Sequence, residues 1–251
     1  EKSFKLYLNK VMTKIRIFIE KNIRTESEIV LSKSQSHYLK NVMRKKEEEK
    51  IFIFNSYDGE WLAKVRYVNK ELKVIPTNQT RKATKCSHLD IWICFGVIKP
   101  RNIGYLIEKT TEIGVNNFFP LKTEFSENIK LNYSRLNKIA IEATEQSENI
   151  NVPKIDEVTK LKDFFTKIDS DRKIIMCDEK KKNNSIMKIL GKNKFKKLAI
   201  FIGPVGGWSK NDMKEFLNQK EVFFISLGNS LLKADTAAIY ALSCIRAHTD
   251  S

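Results

Sequence analysis

Two glycine-bearing loops near the C-terminus decide the fold, and each directly follows a short apolar run. The first loop reads Ile202-Gly-Pro-Val-Gly-Gly-Trp-Ser209 and follows Lys197-Leu-Ala-Ile-Phe201. The second reads Ser226-Leu-Gly-Asn-Ser-Leu-Leu-Lys-Ala-Asp-Thr-Ala-Ala238 and follows Val222-Phe-Phe-Ile225. Glycine permits positive φ and lets the backbone approach a ligand closely. Because open α/β sheets bind ligands at the carboxyl ends of their strands, the pattern predicts a small-molecule pocket built largely from backbone.

Strands and helices alternate around these loops. Further strands are predicted at 89–95, 118–121 and 173–177, and helices begin near Asn102, near Ser134 and near Asp235. Gly114 has the position of a helix C-terminal stop, and Ser209 with Asp212 forms an S-x-x-D capping pair. The alternation predicts an α/β domain with a mainly parallel sheet.

The N-terminal third has a different pattern. Short strands are predicted at 14–19, 50–54, 60–67 and 71–75, with a helix at 34–44 and an Asp58-Gly59 hairpin turn. These elements predict a small β-barrel, and the polar, basic stretch 76–87 reads as linker. The predicted domains are a barrel at 12–80, a linker at 81–88 and an α/β domain at 89–251, while residues 1–11 are set aside as an extension.

The net charge of +16 favours a polyanionic partner. Residues 12–85 hold 17 Lys and Arg against 9 Asp and Glu, so half of the excess lies in less than a third of the chain. The 37 Lys against 9 Arg also fit a compositional drift towards AT-rich codons, in which case part of the charge is incidental.

The remaining composition points to a reducing compartment. The four cysteines (Cys86, Cys94, Cys177, Cys244) form no C-x-x-C pair and read as free thiols. The three histidines have no metal-ligand spacing, and no membrane span or signal peptide is visible. We therefore expect a cytoplasmic protein with no metal and no membrane partner.

Five blocks in order resemble the RsmE-type 16S rRNA uridine-N3 methyltransferases of the SPOUT superfamily, over residues 12–248. Besides the two loops, the blocks are His37-Tyr-Leu-Lys-Asn-Val-Met-Arg44, Lys99-Pro-Arg101 with Leu106-Ile-Glu-Lys-Thr-Thr-Glu-Ile-Gly-Val115, and Pro120-Leu-Lys-Thr-Glu124 with Ile141-Glu-Ala-Thr-Glu-Gln-Ser147.

The resemblance implies a PUA-like RNA-binding barrel followed by a SPOUT domain threaded into a trefoil knot. It implies bound S-adenosylmethionine in the knot loops, a homodimer, and N3 methylation of a uridine in 16S rRNA of the 30S subunit. The implied cofactor-binding residues are Ile202, Gly203, Pro204, Gly206, Gly207, Ser226, Leu227, Gly228, Leu231 and Leu232. The competing interpretation of these positions is tight turns and core leucines.

Uridine N3 carries a proton near neutral pH, and the candidates for assisting its loss are Asp235, Glu145 and Glu112. Asp235 with Thr236, at the start of the final helix, is also predicted to hold the target uracil or the cofactor, so the catalytic candidates taken forward are Asp235, Thr236 and Glu145. Asp235 is equally well explained as a helix N-cap. The candidates for RNA contact are His37, Lys40, Arg44, Lys99, Arg101 and Lys233, each of which could also be a solvated surface charge.

The chain departs from the family pattern at several positions. Val205 stands where Glu is usual, and Ser230, Lys233, Phe125 and Asn149 stand at or near places where Arg is usual. Lysine does not replace arginine at a bidentate contact, so RNA placement is more affected than cofactor binding.

Three other functions remain open from the residues. They are a SPOUT methyltransferase for tRNA or another rRNA site, a non-catalytic RNA-binding protein that kept the fold, and a nucleotide-binding enzyme. The first loop lacks the Gly-Lys-Ser/Thr of a P-loop, which disfavours the third. A Rossmann-type methyltransferase is disfavoured because no glycine motif follows the strand at 89–95.

Overall fold

The chain divides into two compact units, residues 1–85 and 86–251, in a computed structural model that describes residues 14–69, 71–83, 89–178 and 184–249. The predicted extension at 1–11, most of the predicted linker and Cys86 lie outside the described residues. Among the described residues, no helix combines the length and the apolar character that crossing a bilayer requires.

The N-terminal unit is a five-stranded sheet in the order β1-β3-β4-β5-β2, with β1 parallel to β3 and the other pairs antiparallel. Its strands are β1 (Arg16–Phe18), β2 (Ile29–Val30), β3 (Lys50–Asn55), β4 (Gly59–Val68) and β5 (Glu71–Arg81). Alternate residues of β3 and β4, such as Ile51, Ile53, Ala63 and Val65, are buried in one apolar cluster. This is the period of two that a half-buried strand requires.

The helix predicted at 34–44 consists of an α-helical segment followed by a π-helical segment. Helix α1 (Lys33–His37) carries a capping box at Ser32, and a π-helical turn follows at Tyr38–Val42, closed by the Met43 N–H donating to the Tyr38 carbonyl at 2.9 Å. The extra residue per turn packs Leu39 into the core, fully buried. The helix predicted at 34–44 is therefore confirmed as far as Val42, with π-helical instead of α-helical hydrogen bonding in its second half.

The stretch predicted as linker from Pro76 onward is strand up to Arg81. Two register shifts let β5 continue beside β4, and the extra residues are Thr77 and Thr80. Their hydroxyls donate to the carbonyls of Leu62 at 3.0 Å and Glu60 at 3.1 Å. Threonine thus supplies the hydrogen bonds that each bulge removes from the ladder.

The C-terminal unit is a parallel seven-stranded sheet with the path β12-β10-β11-β6-β7-β8, and β9 also pairs with β7. Its strands are β6 (Asp90–Gly96), β7 (Asn117–Lys122), β8 (Lys154–Ile155), β9 (Thr159–Lys160), β10 (Lys173–Cys177), β11 (Lys197–Ile202) and β12 (Val222–Ile225). The predicted mixed α/β fold with a parallel sheet is confirmed.

Helices cover both faces of this sheet: α2 (Pro100–Ile113), α3 (Tyr133–Gln146), α4 (Leu161–Phe165), α5 (Ile186–Leu190), α6 (Lys210–Leu217) and α7 (Ala234–Thr249). Along β11, Leu198, Ile200 and Ile202 face one apolar cluster, whereas Ala199 and Phe201 face the other. A strand buried on both faces reads as a continuous apolar run, as this one does. Gly114 ends α2 at φ 103°, as predicted.

Candidate functional site

A cavity of about 760 Å³ lies where β10, β11 and β12 end. These three strands are neighbours in the sheet and run parallel, so their carboxyl-terminal loops meet at one edge. Both loops singled out in the sequence lie there, because β12 and β11 flank β10 on either side. The topology of the sheet therefore creates one site from two separate stretches of chain.

The loop after β11 is a tight turn followed by a helix start. The Gly207 N–H donates to the Pro204 carbonyl at 2.9 Å, and Gly206 at φ 100° occupies the turn position that favours glycine. A Cβ on Gly203 would lie 3.2 Å from the Gly207 Cα, so the turn folds back against its own beginning. Ser209 and Asp212 then form the predicted capping box at the start of α6.

The loop after β12 is held by a buried serine. The Ser226 hydroxyl lies 3.1 Å from the Gly228 carbonyl, to which it donates, and 3.3 Å from the Gly228 nitrogen, whose N–H it accepts. Gly228 has φ 116°, and a Cβ there would meet no atom within 4 Å. No atom of the chain packs against the position that a side chain at Gly228 would occupy. The space beside this glycine is therefore available to a ligand.

The end of β10 is the part of the wall that the sequence did not reveal. Cys177 and Asp178 line the cavity, and the Trp208 indole N–H donates to the Cys177 carbonyl at 3.2 Å. Trp208 packs edge-on against Phe216 while also lining the cavity. Burial raises the pKa of the Cys177 thiol to about 12, so this group stays neutral and behaves as an apolar wall. The strand-end rule that selected the two loops also applies to Asp178, which directly follows β10.

All ten residues predicted to bind a cofactor line this one cavity: Ile202, Gly203, Pro204, Gly206, Gly207, Ser226, Leu227, Gly228, Leu231 and Leu232. Lys233, predicted for RNA contact, lines it as well. Among the lining residues only Asp178 and Lys233 carry charge. The cavity thus offers apolar walls, backbone polar groups and one charge of each sign.

The predicted catalytic residues lie beside or away from this lining. Asp235 is half-buried in the first turn of α7, and its Oδ1 accepts the Thr236 N–H at 2.9 Å. Glu145 lies near the end of α3 and is not among the lining residues.

The interpretation of Asp235 as a helix N-cap is wrong. The Ala237 N–H donates to the Lys233 carbonyl at 2.8 Å, so the first acceptor of the helix is Lys233 and the helix begins at Ala234. Asp235 is the second helical residue, where its carboxylate faces the unpaired N–H groups of the first turn.

The residues predicted for RNA contact lie in both units. His37 ends α1 and bonds with the Asn41 amide at 3.2 Å, Lys40 is exposed in the π-helical turn, and Arg44 follows at φ 51°. Lys99 and Arg101 flank Pro100 at the start of α2, where Pro occupies the first helical position. Within the described parts of the chain, no cluster of potential metal ligands was found.

The chain matches two family profiles. An RNA methyltransferase domain matches residues 85–246, and an RNA methyltransferase PUA domain matches residues 31–75. The ribosomal RNA small subunit methyltransferase E of Rickettsia conorii is 31% identical over 233 residues, which cover 92% of this chain and 94% of the relative. The protein of the same name from Bacillus subtilis is 27% identical over 253 residues, covering 94% and 97%.

Solved structures share the fold. The ribosomal RNA small subunit methyltransferase E from Neisseria gonorrhoeae, bound to S-adenosyl methionine, superposes with a TM-score of 0.81 at 19% identity, covering 93% of this chain and 97% of that one. A putative methyltransferase from Legionella pneumophila, also in complex with the cofactor, gives a TM-score of 0.81 at 23% identity and the same coverage.

Proposed function

This chain belongs to the RNA methyltransferase family that includes ribosomal RNA small subunit methyltransferase E, and we propose that it methylates N3 of a uridine in 16S rRNA with S-adenosylmethionine as the methyl donor. The observation that carries the proposal is the single cavity at the ends of three parallel strands. Two loops that are distant in sequence and match the family pattern both line it.

The lining suits S-adenosylmethionine in shape and charge. Gly207 and Gly228 have positive φ and open space where a Cβ would stand, so a purine or ribose could lie directly on backbone. Leu227, Leu231 and Leu232 supply apolar surface. When bound, the cofactor supplies an electrophilic methyl group on a sulfonium.

The two charged lining residues have complementary roles in this proposal. The Lys233 ammonium suits the carboxylate of the methionine moiety, and the Asp178 carboxylate suits its amino group or the ribose hydroxyls. Asp178 directly follows the end of β10, and Lys233 directly precedes the first residue of α7.

Proton handling at N3 is assigned to Asp235, with Thr236 beside it. The carboxylate lies one residue inside α7 and two residues from the lining residue Ala237, and it has an oxygen besides the one that bonds to Thr236. Positioning of the uracil supplies much of the rate in such a transfer, so the carboxylate accepts or orients the departing proton rather than driving the reaction alone. Glu145 is the weaker candidate because it lies on α3, outside the lining.

The remaining features follow the family. We propose a PUA-like RNA-binding barrel that starts at residue 12 and ends with β5 at Arg81, a linker from there to residue 88, and a SPOUT domain at 89–251 whose C-terminal segment is knotted. We also propose a homodimer that works in the cytoplasm, with 16S rRNA in the 30S subunit as its substrate. Lys40, Arg44, Lys99 and Arg101 would neutralise phosphates, and His37 would contact the RNA through hydrogen bonds.

Methyl transfer from labelled S-adenosylmethionine to 30S subunits and to bulk tRNA, followed by mapping of the modified base, tests the reaction. We expect N3-methyluridine in 16S rRNA. Label in tRNA alone would assign the chain to another substrate, and no transfer together with no cofactor binding by calorimetry would support a non-catalytic RNA-binding protein.

Asp235→Asn tests the assigned proton acceptor. We expect kcat to fall roughly 10²-fold or more with little change in cofactor affinity, since positioned acid–base groups contribute about that much. Glu145→Gln is the matched control and should retain kcat. Normal transfer by Asp235→Asn, accompanied only by reduced stability, would show that the carboxylate serves the helix.

A further inference from the structure

The hairpin tip between β3 and β4 presents the most exposed large hydrophobic side chain among the residues that the structure describes. Tyr57 is 81% exposed there, in the five-residue segment Asn55–Gly59. Its ring contributes to no core cluster of the N-terminal unit. A single exposed aromatic residue is ordinary on a protein surface, so what surrounds the ring decides whether it has a role.

The backbone beneath Tyr57 is held rigidly. The buried Asn55 side chain accepts the N–H groups of Tyr57 at 3.0 Å and Asp58 at 2.6 Å, and it donates to the Lys21 carbonyl at 3.0 Å. The Asp58 carboxylate in turn accepts the Ile23 N–H at 2.8 Å. The tip is therefore tied to the segment 21–24, and its ring is displayed on an ordered support instead of a mobile loop.

Exposed basic side chains lie on the segments next to this support, together with the acidic Glu20, Glu26 and Asp58. The segment 21–24 carries Lys21 and Arg24, both exposed. The base of the hairpin lies against the end of β5, because a Cβ on Gly59 would stand 2.2 Å from the Arg81 carbonyl. Lys82 is exposed at the end of β5, whereas the Arg81 guanidinium bonds to the buried Glu60 carboxylate at 2.7 Å, so three exposed cations lie on the segments next to the hairpin tip.

An aromatic face with exposed cations on adjoining segments suits single-stranded nucleic acid, in which a base stacks on the ring while phosphates lie along the charges. A folded RNA offers such bases in its loops and bulges, where they are not paired. A protein partner would need an apolar contact area larger than one ring, and the neighbouring exposed side chains are charged.

We propose that Tyr57 is a stacking platform for an unpaired base of the RNA, with Lys21, Arg24 and Lys82 binding the adjacent phosphates. This site belongs to the N-terminal unit and consists of residues other than those assigned to RNA above. It rests on the proposed function in one respect, namely that RNA is the macromolecule this chain acts on.

The test measures the affinity of the full chain for a fluorescein-labelled, unstructured single-stranded RNA over a range of salt concentrations. We expect Tyr57→Ala to weaken binding about tenfold, as loss of one base–aromatic stack does, without changing the salt dependence. Tyr57→Phe and Tyr57→Trp should bind within about twofold of the parent chain because they keep a π-face. Because the Tyr57 side chain is exposed, we expect these variants to fold as the parent chain does.

Substitution of the cations, in contrast, should change the salt dependence of RNA binding. The double variant Lys21→Gln, Arg24→Gln should lower the slope of log Kd against log salt by about one to two, because each neutralised phosphate contributes about one. Lys50→Gln, at the other end of β3, is the matched control and should leave the slope unchanged.

Unchanged affinity in Tyr57→Ala, equal losses in Tyr57→Ala and Tyr57→Phe, or no binding of the probe by the parent chain would overturn the stacking site. Methyl transfer to 30S subunits is measured in parallel, so that failure of the stacking site can be distinguished from failure of the proposed methyltransferase activity. Transfer by the parent chain with unaltered binding by Tyr57→Ala refutes the platform alone, whereas RNA binding that depends on Tyr57 without any transfer refutes the reaction alone.

Discussion

The two units of the chain bury charge in opposite ways. In the N-terminal unit the buried centre is an acid, Glu60, whose side chain is 1% exposed and accepts hydrogen bonds from the Arg16 and Arg81 side chains at 2.8 and 2.7 Å. In the C-terminal unit the buried centre is a base, Arg172, 1% exposed, which pairs with Asp90 and Asp169 and lies 3.4 Å above the Trp92 ring.

The difference lies in what would remain if the centre were removed. The Arg16 side chain is 0% exposed, so without Glu60 its guanidinium would lose its main counter-charge where water cannot replace it. The Asp90 and Asp169 side chains are 29% and 40% exposed, so without Arg172 they could still be hydrated. Breaking a buried pair is costly chiefly because of the charge left behind, and the two clusters should therefore differ in sensitivity.

Glu60→Gln should produce the largest loss of stability. We expect the free energy of unfolding of the N-terminal unit to fall by about 3–5 kcal/mol, the usual cost of an uncompensated buried charge. Native-state hydrogen exchange of the β3 and β4 amides measures this unit separately from the other. Glu28→Gln, which removes an exposed pair with Lys73, is the control and should leave exchange unchanged.

The free energy of unfolding of the N-terminal unit should also depend on pH, by slightly less than it changes in Glu60→Gln. Burial raises the pKa of Glu60, but hydrogen bonds from Arg81, Lys14, Thr80 and Arg16 outweigh it and lower the pKa from 4.5 to about 2. The carboxylate therefore contributes its stabilisation above roughly pH 5 and loses it as the pH falls towards 2, on the order of 2–3 kcal/mol. Acid titration of Glu60→Gln should lack this step, and an identical acid limb in both proteins would contradict it.

Arg172→Met should cost less than Glu60→Gln, about 1–3 kcal/mol in the C-terminal unit. The variant keeps an unbranched side chain against Trp92 but loses the hydrogen bonds to the carbonyls of Asp90 and Leu198, while the two aspartates become hydrated. Hydrogen exchange of the β6 and β11 amides provides the measurement. A loss as large as that of Glu60→Gln would mean that exposure of the partners does not govern the cost.

Much of the C-terminal unit could be predicted from its sequence because the determinants are local. The apolar runs of β10, β11 and β12, the Gly114 stop and the Ser209 capping box each depend on residues within a few positions of one another. All ten predicted pocket residues line the cavity because they directly follow strands that are neighbours in a parallel sheet.

The features that escaped prediction depend on residues far apart in the chain. Asp178 directly follows a strand that the sequence predicts, but its place in the cavity also depends on β10 lying between β11 and β12, an order that the loop sequences do not specify. The Arg16–Glu60 pair spans 44 positions, so neither residue signals its partner. The strand at 76–81 was hidden because Pro76 and polar residues resemble a linker until the threonine bulges are known.

The smallest expected loss of stability comes from the two carboxylates at the edge of the Arg172 cluster, Asp169 and Asp171. Asp171 pairs with Lys197 at 3.0 Å, and its side chain is 64% exposed and does not bond to Arg172, whereas Asp169 bonds to both cations at 3.0 and 3.4 Å. Asp171→Asn should leave the urea midpoint of unfolding within experimental error, because exposed ion pairs contribute little. Asp169→Asn should lower the midpoint measurably, though less than Arg172→Met, because it removes one of two counter-charges from a buried guanidinium. If the two asparagine variants behaved alike, contact with the buried centre would not be what distinguishes a stabilising carboxylate from an incidental one.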